Sequence, residues 1–401
     1  MRDQSNAPVL TSPIPVNELS NALVAFLFAA SVGLAIAGIV ASGCTAETAQ
    51  PEETSDDEIT VDTSTPEARR QYDANVGFAR SYVARCLASP VPSNRPRVLV
   101  TGFGRFMSIA NNATGRIVST LVPEARYPET RAPAPGETDP PEPQLAVVSS
   151  TIELPGVGTA DVCAMILPVY WDLAAVLIAK EAEAFKPTFV MMNGVAGERQ
   201  SLWIELGATN RASRSFDGSN QLRPAVTPGE AYVKIVEHAP ESEDTQGNLL
   251  SWRTVETAAR DAVERHAGEI DDATSFGDIV RGASLAGFPR PSNTYLCNTA
   301  PYVTGWLMSH PGREVRLLRA SHKVFGEAND VRVKIRSNLS AIPRVFVHWP
   351  SDLADKHHAA AADVMKSIIA AQLIASREGD APTLGDNALA HPGLQGGGLF
   401  F

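Results

Sequence analysis

The sequence predicts an α/β fold, a three-layer α/β/α sandwich around a mostly parallel central sheet, and three observations carry that expectation. Short apolar runs closed by turns recur at Arg97–Phe103, Thr188–Met192 and Arg344–Pro350, the pattern of strands covered on both faces. Segments of helical period lie between the first of these runs, so strand and helix alternate. A long closing segment, 354–377, sets Ala362, Met365, Ile368, Ile369 and Leu373 on one side, as a helix packed on a sheet would.

At 401 residues the chain has room for one large or two modest domains, and its 44% hydrophobic content excludes wholesale disorder. A net charge of -11 argues against nucleic acid and anionic lipid surfaces as main partners. Cys44, Cys86, Cys163 and Cys297 form no CxxC pair and no zinc-like spacing with histidine, so no metal site is indicated.

In chain order, residues 22–40 are almost purely apolar and lead into Ala41-Ser42-Gly43-Cys44. Residues 1–43 therefore read as an export signal or membrane segment. The run resembles a bacterial lipoprotein signal with Cys44 as the lipidated residue. Two features depart from that pattern: Ala41 stands where leucine is commonest, and Asp3 and Glu18 accompany a single Arg2. An uncleaved anchor is the competing reading, because about 19 apolar residues also span a bilayer. An ordinary cleaved signal and a buried core helix are the others; all but the last place the chain outside the cytoplasm, in the cell envelope or secreted. Residues 44–68 hold eight acidic residues and no Lys or Arg, the composition of an extended tether. An accessory helix follows within 69–95, on a pattern that starts at Pro66 and sets Tyr72, Val76, Ala79, Tyr82 and Val83 at helical spacing.

The main domain, 96–376, then opens with the strand Arg97–Phe103, a helix over Ala113–Leu121 and a proline-studded surface loop, 123–143. Strands are expected at 145–154 and 160–168, a helix over 172–185 and a strand ending at Asn193-Gly194. Residues 204–209 read as a strand, 211–218 as a polar loop and 254–266 as a helix, with loops at 239–248 and 268–277. A helix over 299–308, short strands at 315–320 and 331–335, the strand Arg344–Pro350 and the closing helix complete the domain. The Gly- and Pro-rich end, 377–401, reads as a disordered tail.

Three residues fall at loop-facing ends of these elements: Glu205, Cys297 and His348. A cysteine where a loop enters a helix meets unpaired N–H groups and the positive end of the helix dipole, which favour the thiolate. Thiol hydrolysis needs such a nucleophile, a histidine to move its proton and a carboxylate to hold the imidazole tautomer. Each residue also has a plain reading: a small buried hydrophobe, a core histidine bonded to backbone, a surface charge on an edge strand.

Several stretches resemble the pyroglutamyl peptidase I (pyrrolidone-carboxylate peptidase) family of cysteine peptidases. Val98–Ile117 is similar to that family's opening VLVTGFEPFGG…NPT…RI segment, and Leu167-Pro168-Val169 with Lys186-Pro187 to its LPV…KP segment. Gly194–Arg199 followed by Ile204-Glu205 resembles the segment bearing the family's catalytic Glu, with Leu206 in place of an Arg. Tyr295-Leu296-Cys297-Asn298 matches its YLCN, and Val345–Pro350 is similar to its FIHVP. The resemblance covers about residues 96–375, with extra material in the proline loop, in 219–290 and in 310–343.

It implies Cys297 as nucleophile, His348 as base and Glu205 as the residue that orients His348. The implied substrate is a peptide blocked by an N-terminal 5-oxoproline residue, and family members often self-associate into homo-oligomers. Phe103 and Phe106 would help wall a pocket for the flat lactam ring. Asn112, Asn193, Gly194, Tyr295 and Arg214 are further pocket candidates, with Arg211 the alternative to Arg214. Departures bear on substrate rather than chemistry. Arg105 replaces a family Pro, Met107-Ser108 a Gly-Gly, and Ser292-Asn293 a small Ala-Gly unless two residues are deleted there. The competing function class is an exported, non-catalytic or altered-specificity homologue that binds peptide or cell-wall fragments. Cys86 and Cys163 are left over for a disulfide, if the compartment is oxidising.

Overall fold

The computed structural model describes residues 61–385 except 89–93, 107–108, 197–200, 224–231, 272–273, 288–293, 321–329 and 352. The apolar run 22–40, Cys44 and the end of the tail after 385 lie outside the described residues, as do Met107, Ser108, Ser292 and Asn293.

The central sheet has nine strands: β1 (Arg97–Phe103), β2 (Ala146–Leu154), β3 (Gly158–Leu167), β4 (Phe189–Ala196), β5 (Leu202–Glu205), β6 (Leu249–Leu250), β7 (Ala283–Ala286), β8 (Arg344–Pro350) and β9 (Thr383–Leu384). Its main order is β7-β5-β8-β4-β1-β3-β2. The central run β8-β4-β1-β3 is parallel, as is β7 with β5, while β8–β5 and β3–β2 are antiparallel. The sheet is mixed and mostly parallel, as the alternation of strand and helix predicts.

Side-chain alternation divides the core in two. Leu99, Cys163, Met192 and Phe346 face α1 (Pro66–Ser81), α3 (Leu173–Phe185) and α5 (Leu296–Ser309). Val98, Val100, Met191, Val345 and Trp349 face α2 (Ala113–Leu121), α4 (Trp252–His266) and α6 (His358–Glu378). Gly102 and Gly115 let β1 and α2 approach closely. A Cβ on Gly102 would sit 2.4 Å from the Thr114 carbonyl oxygen, and one on Gly115 2.3 Å from that of Phe103.

Order begins before the end of the expected tether. Val61 and Thr63 are buried, and the Val61 and Asp62 amides donate to the carbonyls of Arg319 and Leu222. Apolar Ile59 and Val61 dilute the acidic composition there, and Thr65 caps α1 by accepting from the Ala68 amide at 3.1 Å. The accessory helix accordingly occupies 66–81, starting at Pro66 as its pattern does and ending well before residue 95. Residues 82–86 leave it and are held on Glu181 of α3, which accepts from the Tyr82 hydroxyl and from the Arg85 and Cys86 amides at 2.8 and 2.9 Å. A disulfide joins Cys86 to Cys163 of β3 across 77 residues of sequence.

Ordered structure also continues into the segment expected to be tail. Gly379, at φ +83°, reverses the chain after α6, and β9 then pairs with β6 while the Thr383 carbonyl accepts from the Trp252 indole at 2.8 Å. The strand expected at 204–209 is two, β5 and a pair with 245–247 formed by 207–209, because Leu206 bonds outward to Ala286 and Asn248. Within the expected loop 268–277 lie the pair 270–271/274–275 and the start of a turn of helix, Phe276–Ile279, whose Ser275/Asp278 capping box is an S-x-x-D signal in the sequence.

Candidate active site

The carboxyl ends of β1, β4 and β8 form the crevice where α/β sheets bind ligands. His348 lies in register with Gly194 of β4 and with Trp203 of β5. Because β5 runs antiparallel to β8, Glu205 lies two residues along from Trp203 on the same face of the sheet. Its Oε1 and His348 Nδ1 are 2.6 Å apart. Both are buried, at 1% and 6% exposure, so this contact is shielded from water.

Cys297 arrives from the helix side. Helix α5 starts at Leu296 with Tyr295 as N-cap, three residues earlier than the sequence pattern suggests, so Cys297 is its second residue. The first-turn N–H groups of a helix have no partner within it and point at whatever stands before them. Pro301 lies four residues on and has no N–H to give the Cys297 carbonyl, which relaxes the helix at Cys297. The sulfur is close against β4: a Cβ on Gly194 would fall 2.8 Å from Cys297 Sγ and 2.7 Å from Phe346 Cζ. Phe346 in turn sets its ring edge-on to His348, centroids 4.9 Å apart.

Burial disfavours charge on His348, but hydrogen bonds to the Cys297 and Glu205 side chains and the charges of both outweigh it, pushing the pKa up to about 9. With Nδ1 on Glu205, Nε2 is left to meet the thiol. The surroundings therefore favour the charged form of a ring set between the Glu205 carboxyl group and a sulfur. Such an arrangement can pass a proton to a leaving group while the sulfur attacks.

The remaining candidates divide. Phe106 and Tyr295 stack edge to face at 5.8 Å, and Tyr295 meets Trp171 at 4.8 Å, so a continuous aromatic wall reaches the start of α5. Phe103 is buried in the core behind it. Gly194 is the sulfur's neighbour. Asn193 faces the other side of the sheet, where it joins the Thr101 carbonyl (2.9 Å) to the Trp349 indole (3.1 Å), so it holds β1, β4 and β8 together. Asn112 caps α2, accepting from the Thr114 amide at 3.1 Å. Both amides serve the framework. Arg214 and Arg211 are exposed around the pair formed by 212–213, which is tied to the chain before Tyr295 by the Ser213 amide on the Thr294 carbonyl at 2.7 Å.

Three supporting groups were not singled out in the sequence. Asn298 bonds the Thr209 amide and the Thr209 and Arg211 carbonyls, each at 2.8 Å, fixing the loop after β5 against α5. Its place beside Cys297 was the available signal. Arg223 is fully buried, pairs with Asp172 and lies over the Trp171 ring at 4.3 Å. Asp217 accepts from the amides of Trp171, Ser219 and Gln221. No spacing marks such long-range pairs. Arg105, the family's Pro, pairs with buried Asp139 in the proline loop, so that departure is matched by the loop's own residue.

Among the described residues, Cys86, Cys163 and Glu181 lie close enough together to ligate a metal. The two sulfurs are bonded to each other and Glu181 holds the Tyr82–Cys86 segment, so the trio acts as a latch.

No family model and no curated protein matches the chain. Solved structures do. Pyrrolidone carboxyl peptidase from Thermococcus litoralis is similar over 71% of this chain and 96% of its own, at 16% identity and a TM-score of 0.42. Pyroglutamyl peptidase I from Bacillus amyloliquefaciens covers 69% and 97%, at 16% identity and a TM-score of 0.41. A variant pyrrolidone carboxyl peptidase from Pyrococcus furiosus covers 69% and 98%, at 18% identity and a TM-score of 0.41.

Proposed function

We propose that this protein is a cysteine peptidase of the pyroglutamyl peptidase I kind, an omega peptidase that removes an N-terminal 5-oxoproline residue from peptides. The observation that carries the chemistry is the buried pair of Glu205 and His348, 2.6 Å apart at Oε1 and Nδ1, on the sheet face where Cys297 Sγ closes on Gly194. The substrate class rests on the YLCN and FIHVP resemblance.

In this reading the Cys297 thiolate attacks the carbonyl that joins 5-oxoproline to the next residue. The N–H groups of Leu296 and Cys297, at the start of α5, hold the oxyanion. His348 gives its proton to the departing amine, then takes one from the water that releases the acyl group. Glu205 keeps the imidazole in one tautomer and stabilises its charge. The aromatic wall of Phe106 and Tyr295 offers a flat surface to a lactam ring. No metal or organic cofactor enters the scheme.

We further propose export to the cell envelope, with Cys44 as lipidation site and membrane contact confined to the amino-terminal segment. The Cys86–Cys163 disulfide supports passage through an oxidising compartment. Self-association follows the resemblance alone.

The test is hydrolysis of a fluorogenic pyroglutamyl amide by the wild type and by Cys297→Ala. Release of the dye by the wild type alone supports the peptidase. No hydrolysis, together with no labelling of Cys297 by thiol reagents, overturns it in favour of a non-catalytic binding protein.

A further inference from the structure

Tyr295 also reaches a feature beyond the aromatic wall. Its hydroxyl donates to the Phe216 carbonyl at 2.8 Å, and the Phe216 side chain, 52% exposed, stands at the edge of a cleft of about 270 Å³. The cleft is lined by Asp62, Glu67 and Gln71 from the α1 segment, Gly136 from the proline loop, and Phe216 and Leu222 from the loop after β5. None of the residues that carry the family resemblance is among them.

Hydrogen bonds fix the three segments to one another, so the cleft is a formed feature rather than a gap between loose loops. Asn75 donates to Gln221 at 3.0 Å, and Gln221 donates to the Ala68 carbonyl at 3.0 Å. Gln71 exchanges two bonds with the Asp139 backbone, at 2.8 and 2.7 Å. The Asp62 amide donates to the Leu222 carbonyl at 2.9 Å.

We infer that this cleft is the subsite for the part of the peptide that follows the scissile bond, with Phe216 as its lip. The inference rests on the peptidase reading above. Its geometric basis is continuity: one tyrosine side chain bridges Phe216 and the N-cap of the helix that carries Cys297. An extended peptide advances roughly 3.3–3.6 Å per residue, so a few residues past 5-oxoproline suffice to enter the cleft. An exposed aromatic ring at its mouth offers apolar area to side chains of those residues. The α1 segment thereby becomes part of the enzyme's specificity rather than a bystander on its surface.

The experiment compares kcat/KM for a pyroglutamyl amide dye with that for pyroglutamyl peptides lengthened one residue at a time, using the full chain. In the wild type, kcat/KM rises with length through about four residues and then levels off. In Phe216→Ala, which keeps the backbone carbonyl that Tyr295 uses, the ratio of long-peptide to dye kcat/KM falls about five- to tenfold, the effect of losing a partly buried aromatic contact. A length-independent wild type overturns the inference, whatever the variant does; so does an unchanged ratio in the variant. In both cases dye hydrolysis leaves the peptidase reading standing. A wild type that cleaves neither substrate removes both.

Discussion

Gly194→Ala is the most exacting test of the site's packing. The added methyl would lie 2.8 Å from Cys297 Sγ and 2.7 Å from Phe346 Cζ, distances at which non-bonded atoms are strongly repelled. Relief requires a shift of about 1 Å in the sulfur, the ring or both, since carbon contacts are optimal at about 3.5–4.0 Å. Phe346 is 1% exposed and edge-on to His348, so its movement disturbs the proposed base, while movement of the sulfur disturbs the proposed nucleophile. Overpacking of this kind costs about 1–3 kcal/mol of stability, which leaves a domain of ordinary stability folded. Displacing a reacting atom by about 1 Å costs roughly 10²-fold in rate. Gly194→Ala should therefore melt cooperatively at a modestly lower temperature yet lose about a hundredfold in kcat on a pyroglutamyl amide. A folded variant with kcat within threefold of wild type would refute the placement of Cys297 against β4.

Other outcomes follow from the same geometry. Glu205→Gln removes the carboxylate at 2.6 Å from His348 Nδ1 and should lower kcat by roughly 10²–10⁴-fold with little change in KM, as read by steady-state kinetics. His348 has its pKa raised from 6.5 to about 9, so the stability its charge contributes is fully present below pH 6.5 and declines as pH rises through about 9. Chemical unfolding across that range, with Glu205→Gln as the comparison in which the decline moves to lower pH, checks the sign. Cys86→Ser opens a link that spans 77 residues and should destabilise by roughly 2–5 kcal/mol in denaturant titration, with the wild type under reducing conditions shifting alike. Arg223→Met leaves Asp172 as an unpaired buried charge and should cost about 3–5 kcal/mol, again by unfolding; an unchanged midpoint would contradict the burial of that pair.

Sequence and structure agree best where pattern and burial coincide. Arg97–Phe103, Ala113–Leu121 and Arg344–Pro350 have the boundaries that their apolar runs and turn residues set. Glu205, Cys297 and His348 are catalytic candidates on residue type, position at element ends and resemblance, and the structure brings Glu205 to His348 and Cys297 to Gly194. Less legible was what supports them. Asn112 and Asn193, chosen as pocket residues, turn out to be a helix cap and a cross-sheet tie, because an asparagine at a strand or helix end suits either role. The residues 61–68 read as tether because charge counts ignore the few apolar side chains that bury. Trp171, Asp172, Asp217 and Arg223 meet only after the chain has folded, and their partners lie up to 146 residues away. No local pattern encodes such contacts.

The central claim is that Cys297 carries the acyl group during turnover. Mixing the full chain with a pyroglutamyl ester or amide, stopping with acid and mapping peptides by mass tests it most directly. The account predicts a thioester of one 5-oxoprolyl group on the peptide containing Cys297, lost on longer incubation and absent in Cys297→Ala. Turnover with the group on another residue, or persistent turnover by Cys297→Ala, would contradict it.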